Sequence, residues 1–590
     1  MIVSFDEREV REVARAYALL NAVQHGGKAS VGAVMGKVMA ERPEWRSVAR
    51  QIVGIVREVV EEVNKLSLEE QKRLLEEKYS WVLEKTRKPR AEEKKLPPLP
   101  EAEEGKVVTR FAPNPDFVIH LGNARPAILS HEYARMYKGK FILRFEDTDP
   151  RTKRPMIEAY SLIKEDLEWL GIKWDEEYVQ SLRMEIYYDI ARKLIEKGGA
   201  YVDDQPAEKF REYRDSGKLA EYPPRRRSPE ENLELWDKML EGAFGEGEAV
   251  LRVKTDPSHP DPSVRDWVAF RIIDTSRTPH PLVGDRYIVW PTYNFAAAVD
   301  DHLMGVTHIL RAKEHMQNTV KQKFLYQHLG WKYPHVIHFG RLKLEGFIMS
   351  KSVMKKLMEE GFFLGIDDPR FGTIAGLRRR GIDPDSIRKL ILDVGVKGTD
   401  ASISYANLAA VNRSIIDPKA KRFMVVFDPV EVVIQGIPGR IEANIPFHPE
   451  RREMGSRVLV LPAGEARVYL PRRDIAKVGV GGWIRLAEAI NIEIVSMDGD
   501  RVVARYKGTS LDEARARRAP IVQWVPAGDV VEVTVFIPEG LRLRVEKGVG
   551  EPALREVKRG DIVQFLREGF YRVDAVAAEQ NEVVVIYAHD

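Results

Sequence analysis

The 590-residue chain contains no cysteine. That excludes disulfides, thiolate nucleophiles and Cys-ligated metal centres, so no structural zinc is expected. Long apolar runs are also missing, and nothing approaches the ~18 residues of a membrane span. The opening segment MIVSFDEREVREVARAY mixes acids and bases into every apolar stretch and carries no secretory signal. Nor is there an excess of charge: 93 Lys and Arg against 90 Asp and Glu leave +3, so a polyanionic partner must be held by local basic patches. The sequence reads as a cytoplasmic protein without a membrane or DNA partner. It is too long for one core at ~100–200 residues per domain.

Residues 1–85 read as a helical appendage. Ser4 and Glu7 have capping-box spacing, Val10, Val13, Ala14, Tyr17 and Leu20 form a helical stripe, and Gly26-Gly27 ends it. A second helix is expected over 31–39. Residues 86–106, rich in charge and proline, read as a linker. From 107 to 396 strands and helices alternate. Val107–Phe111 is a strand, a proline-rich turn follows, a helix is expected over 121–137, and Phe141–Phe145 is a second strand. This is the opening of a doubly wound, Rossmann-like nucleotide-binding sheet. A polar, proline-rich stretch at about 201–290 reads as an inserted domain. Residues 397–415 are expected to be a helical connector, and 416–590 one or two small antiparallel β-barrels. Among their strands are Phe423–Phe427, Val458–Leu461 and a hairpin turning at Asp498-Gly499.

Two segments carry the chemistry. In the first, Arg110–Arg125 (RFAPNPDFVIHLGNAR), His120 and Gly122 stand where a strand gives way to a helix. A helix N-terminus offers unpaired N–H groups to phosphate, Gly122 permits close approach of a bulky ligand, and His120 can donate to a phosphoryl oxygen. The second is Phe347–Ser352 (FIMSKS), in which Lys351 lies between Ser350 and Ser352. Its ammonium suits the charge on departing pyrophosphate. Taken singly, each has an ordinary structural explanation, an incidental histidine or a solvated surface lysine.

Together the pair resembles the HIGH and KMSKS signatures of class I aminoacyl-tRNA synthetases. RFAPNP, FEDTDPR at 145–151, VRDWV at 264–268, WPTYNFAAAVDDHLMGVTHILRAKEH at 290–315 and YPHVIHFGRLKLEG at 333–346 narrow the resemblance to the glutamyl-tRNA synthetase family. The helical appendage and β-rich tail resemble the archaeal type. Two positions depart from the signatures: Asn123 replaces the second histidine of the first, and Ile348 replaces the leading lysine of the second.

The resemblance implies ATP with magnesium, L-glutamate and tRNA-Glu as substrates, and leaves tRNA-Gln open as a second acceptor. It assigns catalysis to His120, Asn123, Ser350, Lys351 and Ser352. ATP binding falls to Pro113, Asn114, His120, Gly122, Asn123 and Lys351. Arg110, Glu146, Tyr293 and Arg311 should face glutamate, with Glu146 on the α-ammonium and Arg311 separating carboxylate from amide. The alternative for Arg311 is an intramolecular pair with Asp300 or Asp301. Asp300-Asp301-His302 reads as structural rather than metal-binding, because adjacent side chains point apart. Arg225, Arg226 and Arg227 are candidates for the acceptor stem of tRNA; Arg451, Arg452, Arg472 and Arg473 are candidates for its anticodon arm. Rival readings are a glutaminyl-tRNA synthetase and a non-catalytic tRNA-binding protein.

Overall fold

A computed structural model describes residues 5–86, 96–361 and 365–590. The chain divides into two units, 1–95 and 96–590. In the first, helices Glu7–Gln24, Val31–Glu41, Ala49–Asn64 and Leu68–Lys78 enclose an apolar core containing Val10, Ala14, Val38, Val56 and Leu75. The Ser4–Glu7 box lies partly outside the described residues; Asp6 caps the first helix, accepting from Arg8 N–H at 2.9 Å. A reciprocal box does form at Ser67 and Glu70, pairing otherwise orphaned backbone donors.

In the second unit, strands Val108–Phe111, Lys140–Phe145 and Glu176–Val179 pair in parallel. The pair His308–Ala312 and His335–Phe339 is also parallel. Thr307 N–H donates to Val108 O at 2.9 Å, so this second pair continues the sheet beyond the first strand. The connections therefore run outward in both directions from Val108–Phe111. That reversal is the switch point at which doubly wound sheets bind ligands, beyond the carboxyl ends of their strands.

Residues 96–106, placed in the linker from composition, pack on this α/β core. Leu99 is buried with its N–H on Tyr137 Oη (2.9 Å), and Pro97 O accepts from Tyr133 Oη (2.8 Å). The polar stretch after Tyr201 is a four-stranded antiparallel sheet: Ala200–Asp203, Val250–Val253, Val268–Ile272 and Val289–Pro291. It shares one core with helices Met184–Glu196, Tyr293–Leu303 and Met316–Leu329, centred on Trp236, Phe270 and Trp290. The strands are only three to five residues long and lie between long polar, proline-rich connections, so composition alone does not resolve them.

Helix Tyr405–Ile416 leads into two seven-stranded sheets curled into barrels or half-barrels. They are largely antiparallel, yet each holds two parallel pairings. The expected strand Phe423–Phe427 is two strands, Lys421–Phe423 and Val425–Phe427, at opposite edges of one sheet, with buried Met424 at the crossing. The rest of that sheet comes from 531–589, so the other barrel (429–526) is inserted within it. The Asp498-Gly499 hairpin forms as expected, with Asp498 opposite Arg501. No helix among the described residues is long and apolar enough to cross a membrane.

Candidate active site

Arg110, Glu146 and Arg311 all stand at or just past the carboxyl ends of neighbouring parallel strands, which is why residues 200 apart in sequence meet. Tyr293 opens the facing helix and lies in electrostatic range of Arg311, Glu146 and Arg110.

Arg311 is 5% exposed, and every one of its hydrogen-bond partners is neutral. It donates to Thr319 Oγ1 (2.5 Å), Gln322 Oε1 (3.1 Å), Tyr333 Oη (3.1 Å) and Tyr293 Oη (3.4 Å), while its Nε has no partner among the described residues. The intramolecular alternative does not form. Asp301 is taken by Arg110, through Nε (3.0 Å) and Nη2 (3.2 Å), and by Arg144 Nη1 (2.9 Å). Asp300 is taken by Arg183, Gln180 and Tyr187. Burial pushes the Asp301 carboxyl up, but Arg110 and Arg144 outweigh it and hold the group below the usual range. A buried guanidinium without a counter-ion is costly until an anion reaches it. Arg110 thus presents only Nη1 to a ligand, less than the resemblance implies.

Glu146 accepts from Arg144 Nη2 (2.9 Å); burial raises its pKa against the pull of Arg144 and Arg110. Beside it, Pro113 O accepts from Glu146 N–H (2.9 Å), joining the two loops, and Asn114 Oδ1 is buried without a donor among the described residues.

His120 is the N-cap of helix Leu121–Met136. Its Nδ1 accepts from Gly122 N–H (3.0 Å), and Asn123 Oδ1 accepts from His120 N–H (3.4 Å). An accepting Nδ1 places the proton of the neutral ring on Nε2. Burial lowers the ring's pKa and favours that neutral form. The structure adds a second reason for Gly122: a Cβ there would lie 2.8 Å from His120 Cε1 and 3.0 Å from Nδ1. Glycine lets the ring fold onto the helix N-terminus. The Asn123 amide nitrogen makes no hydrogen bond among the described residues.

Lys351 begins helix Lys351–Glu359 and pairs with Asp116, a partner the sequence did not single out. Ser350 and Ser352 share a hydrogen bond at 3.1 Å. Residues 370–374 tie this loop to the histidine loop. Ile348 N–H donates to Arg370 O (3.0 Å) and Gly372 N–H to Ile348 O (2.8 Å), while Leu121 N–H donates to Gly372 O (3.0 Å). The two signature segments are therefore two backbone hydrogen bonds apart.

The three arginines of 225–227 do not act alike. Arg225 binds Asp266 (2.8 Å) and Thr255 O, and Arg227 binds Asp204 (2.8 Å) and Val202 O. Both hold the inserted domain together; of the three, Arg226 alone is exposed and has no ion pair or hydrogen bond among the described residues. Arg472 pairs with Asp428 and Asp500, Arg473 with Glu568 and Arg451 with Glu453, whereas Arg452 is exposed. No group of three or more His, Cys, Asp or Glu placed to hold a metal occurs among the described residues.

Residues 106–418 match the family model described as tRNA synthetases class I (E and Q), catalytic domain. Residues 420–509 and 521–574 match two models of the anti-codon binding domain of the same class. A glutamate--tRNA ligase of Hyperthermus butylicus is 69% identical over 97% of this chain and 100% of its own length. Those of Staphylothermus marinus and Pyrobaculum calidifontis are 53% and 54% identical, over 97% and 98% of this chain and 100% of their own. With the catalytic match spanning more than half the sequence and both anticodon-binding matches following it, the chain belongs to the class I tRNA synthetases for E and Q.

Proposed function

We propose that this chain joins L-glutamate to tRNA-Glu in two steps, by way of glutamyl-adenylate. The observation that carries the choice of amino acid is Arg311, buried among neutral acceptors and short of an anion. A γ-carboxylate supplies that anion in a planar fork, whereas the NH₂ of glutamine would meet N–H groups. Mispairing there costs about 1–3 kcal/mol, roughly ten- to a hundredfold in selectivity. The relatives named above support the same amino acid and speak against glutamine.

In the first step a glutamate α-carboxylate oxygen attacks the α-phosphorus of magnesium-bound ATP, and pyrophosphate leaves. Glu146 holds the α-ammonium and Arg110 Nη1 faces the amino acid. His120 donates from Nε2 to a phosphoryl oxygen, and the Asn123 amide adds a second donor. Pro113 and Asn114 line the nucleotide. Lys351 exchanges Asp116 for the triphosphate, with Ser350 and Ser352 beside it. No protein nucleophile is needed; positioning and preorganised charge suffice. In the second step the 2′-hydroxyl of the terminal adenosine of tRNA takes the acyl group, with Arg226 near the acceptor stem. The same proposal includes tRNA-Gln as a second acceptor for glutamate, and work in the cytoplasm.

The test is charging of separate glutamate and glutamine tRNAs with labelled glutamate or glutamine, ATP and magnesium. Glutamate on tRNA-Glu is the result expected, and glutamate on both extends it to tRNA-Gln. Glutamine transfer would overturn the role of Arg311, and no transfer would leave a tRNA-binding protein.

A further inference from the structure

Ile348 stands where the family's loop has a lysine, and the structure gives that position an apolar task. Its backbone is held on both sides by the 370–372 segment, and its side chain packs against the cluster of Phe117, Val118, Met354 and Phe371. One cation is thereby missing from a site that must bind a triphosphate.

The following helix carries a cation in the right place. Lys355 lies one turn beyond Lys351, on the same helical face. Its Nζ is 5.6 Å from the centre of the Phe117 ring, and Phe117 adjoins the Asp116 that holds Lys351. Lys355 is partly buried and makes no ion pair or hydrogen bond among the described residues. Burial and the neighbouring charge of Lys351 lower its pKa by more than Asp116 and Glu359 raise it. Lys356, next in sequence, instead faces solvent and reaches Glu360 at 3.8 Å.

We propose that Lys355 is a second pyrophosphate-binding cation, acting with Lys351 in place of the lysine absent at 348. This rests on the ATP-dependent activation proposed above. As the carboxylate oxygen bonds to the α-phosphorus, the bond from that phosphorus to the bridging oxygen breaks and its electron pair leaves with pyrophosphate. Lys355 transfers no proton; it offsets the charge gathering on the leaving group.

The test is glutamate-dependent exchange of labelled pyrophosphate into ATP, measured on the whole chain with tRNA-Glu present. Lys355→Gln is expected to lower the exchange rate ten- to a hundredfold and to raise the KM for ATP and pyrophosphate, with the KM for glutamate unchanged. Lys355→Arg should keep most of the rate, Lys356→Gln should match wild type, and Ile348→Lys added to Lys355→Gln should recover tenfold or more. Exchange by Lys355→Gln within twofold of wild type overturns the proposal. So does a loss that neither Lys355→Arg nor Ile348→Lys repairs, since that marks Lys355 as structural. Wild-type chain without exchange overturns the activation reading itself, and this proposal with it.

Discussion

Asp301 closes a two-point ion pair with Arg110, Nε to Oδ1 at 3.0 Å and Nη2 to Oδ2 at 3.2 Å, although 191 residues separate them. The same carboxylate takes Arg144, so it bonds two buried arginines directly and reaches Arg311 only through space. Asp301→Asn would leave both arginines buried without their shared carboxylate. Removing one partner of a buried pair costs about 3–5 kcal/mol. The variant should unfold at clearly lower denaturant concentration than wild type, read by circular dichroism.

Arg311→Gln removes the charge but can keep hydrogen bonds to Thr319 and Gln322, so the fold should hold. Losing one side of a buried charged contact costs about 2–5 kcal/mol in binding. We expect kcat/KM for glutamate in pyrophosphate exchange to fall roughly thirtyfold to a thousandfold or more, while the KM for ATP moves little. An unchanged glutamate KM would place the γ-carboxylate elsewhere.

Gly122→Ala puts a Cβ 2.8 Å from His120 Cε1. The ring must swing off the helix N-terminus, losing the bond from Gly122 N–H that fixes its tautomer. Exchange should fall about tenfold to a thousandfold, the range for a misplaced transition-state donor. The melting temperature should change by only a few degrees, because the site is at a helix end. A fully active G122A would show that His120 does not need this pose.

These contacts also mark how far the sequence could be read. His120, Gly122 and Asn123 are local, set by one strand-to-helix junction, and their pattern shows in a few residues. Lys351 was visible as a charge in a loop, but its partner Asp116 lies 235 positions away and only folding identifies it. Arg225 and Arg227 looked like a basic patch until the inserted sheet brought Asp266 and Asp204 to them. Met424 illustrates the same limit in the fold: five apolar residues in a row read as one strand, and sheet closure divides them into two.

His131 contributes one term to the pH dependence of stability. It is 7% exposed; burial, then Arg135 and Arg388, push its pKa down to about 4. An unfolded histidine titrates near ~6.5. Between these values the unfolded chain binds the proton and the folded chain refuses it, so stability present above about pH 6.5 is lost as pH falls toward 4. The slope for one such group is about 1.4 kcal/mol per pH unit. The buried Asp166 carboxyl, pushed up to about 7, acts with the opposite sign, so the check is a difference. From pH 7 to pH 5 the guanidinium midpoint of wild type should fall relative to that of His131→Gln.

The boundary between the two units gives a last prediction. Composition places the start of the catalytic region at 107, whereas the structure begins its packing at Leu96. Leu99 is 5% exposed in the α/β core, Pro97 O and Leu99 N–H bind two tyrosines of helix Leu121–Met136 and its cap, and Pro100 O contacts His308 Nε2 at 2.7 Å. A chain starting at 96 keeps all of these; one starting at 107 exposes the pocket filled by Leu99 and strands the hydroxyls of Tyr133 and Tyr137. Burial of one leucine is worth about 2–3 kcal/mol, and each stranded group adds about 1–3 kcal/mol. The shorter truncation should melt close to the full chain and keep glutamate-dependent exchange. The longer one should lose several kcal/mol, precipitate or melt far lower, and equal stability of the two would show that 96–106 is a linker after all.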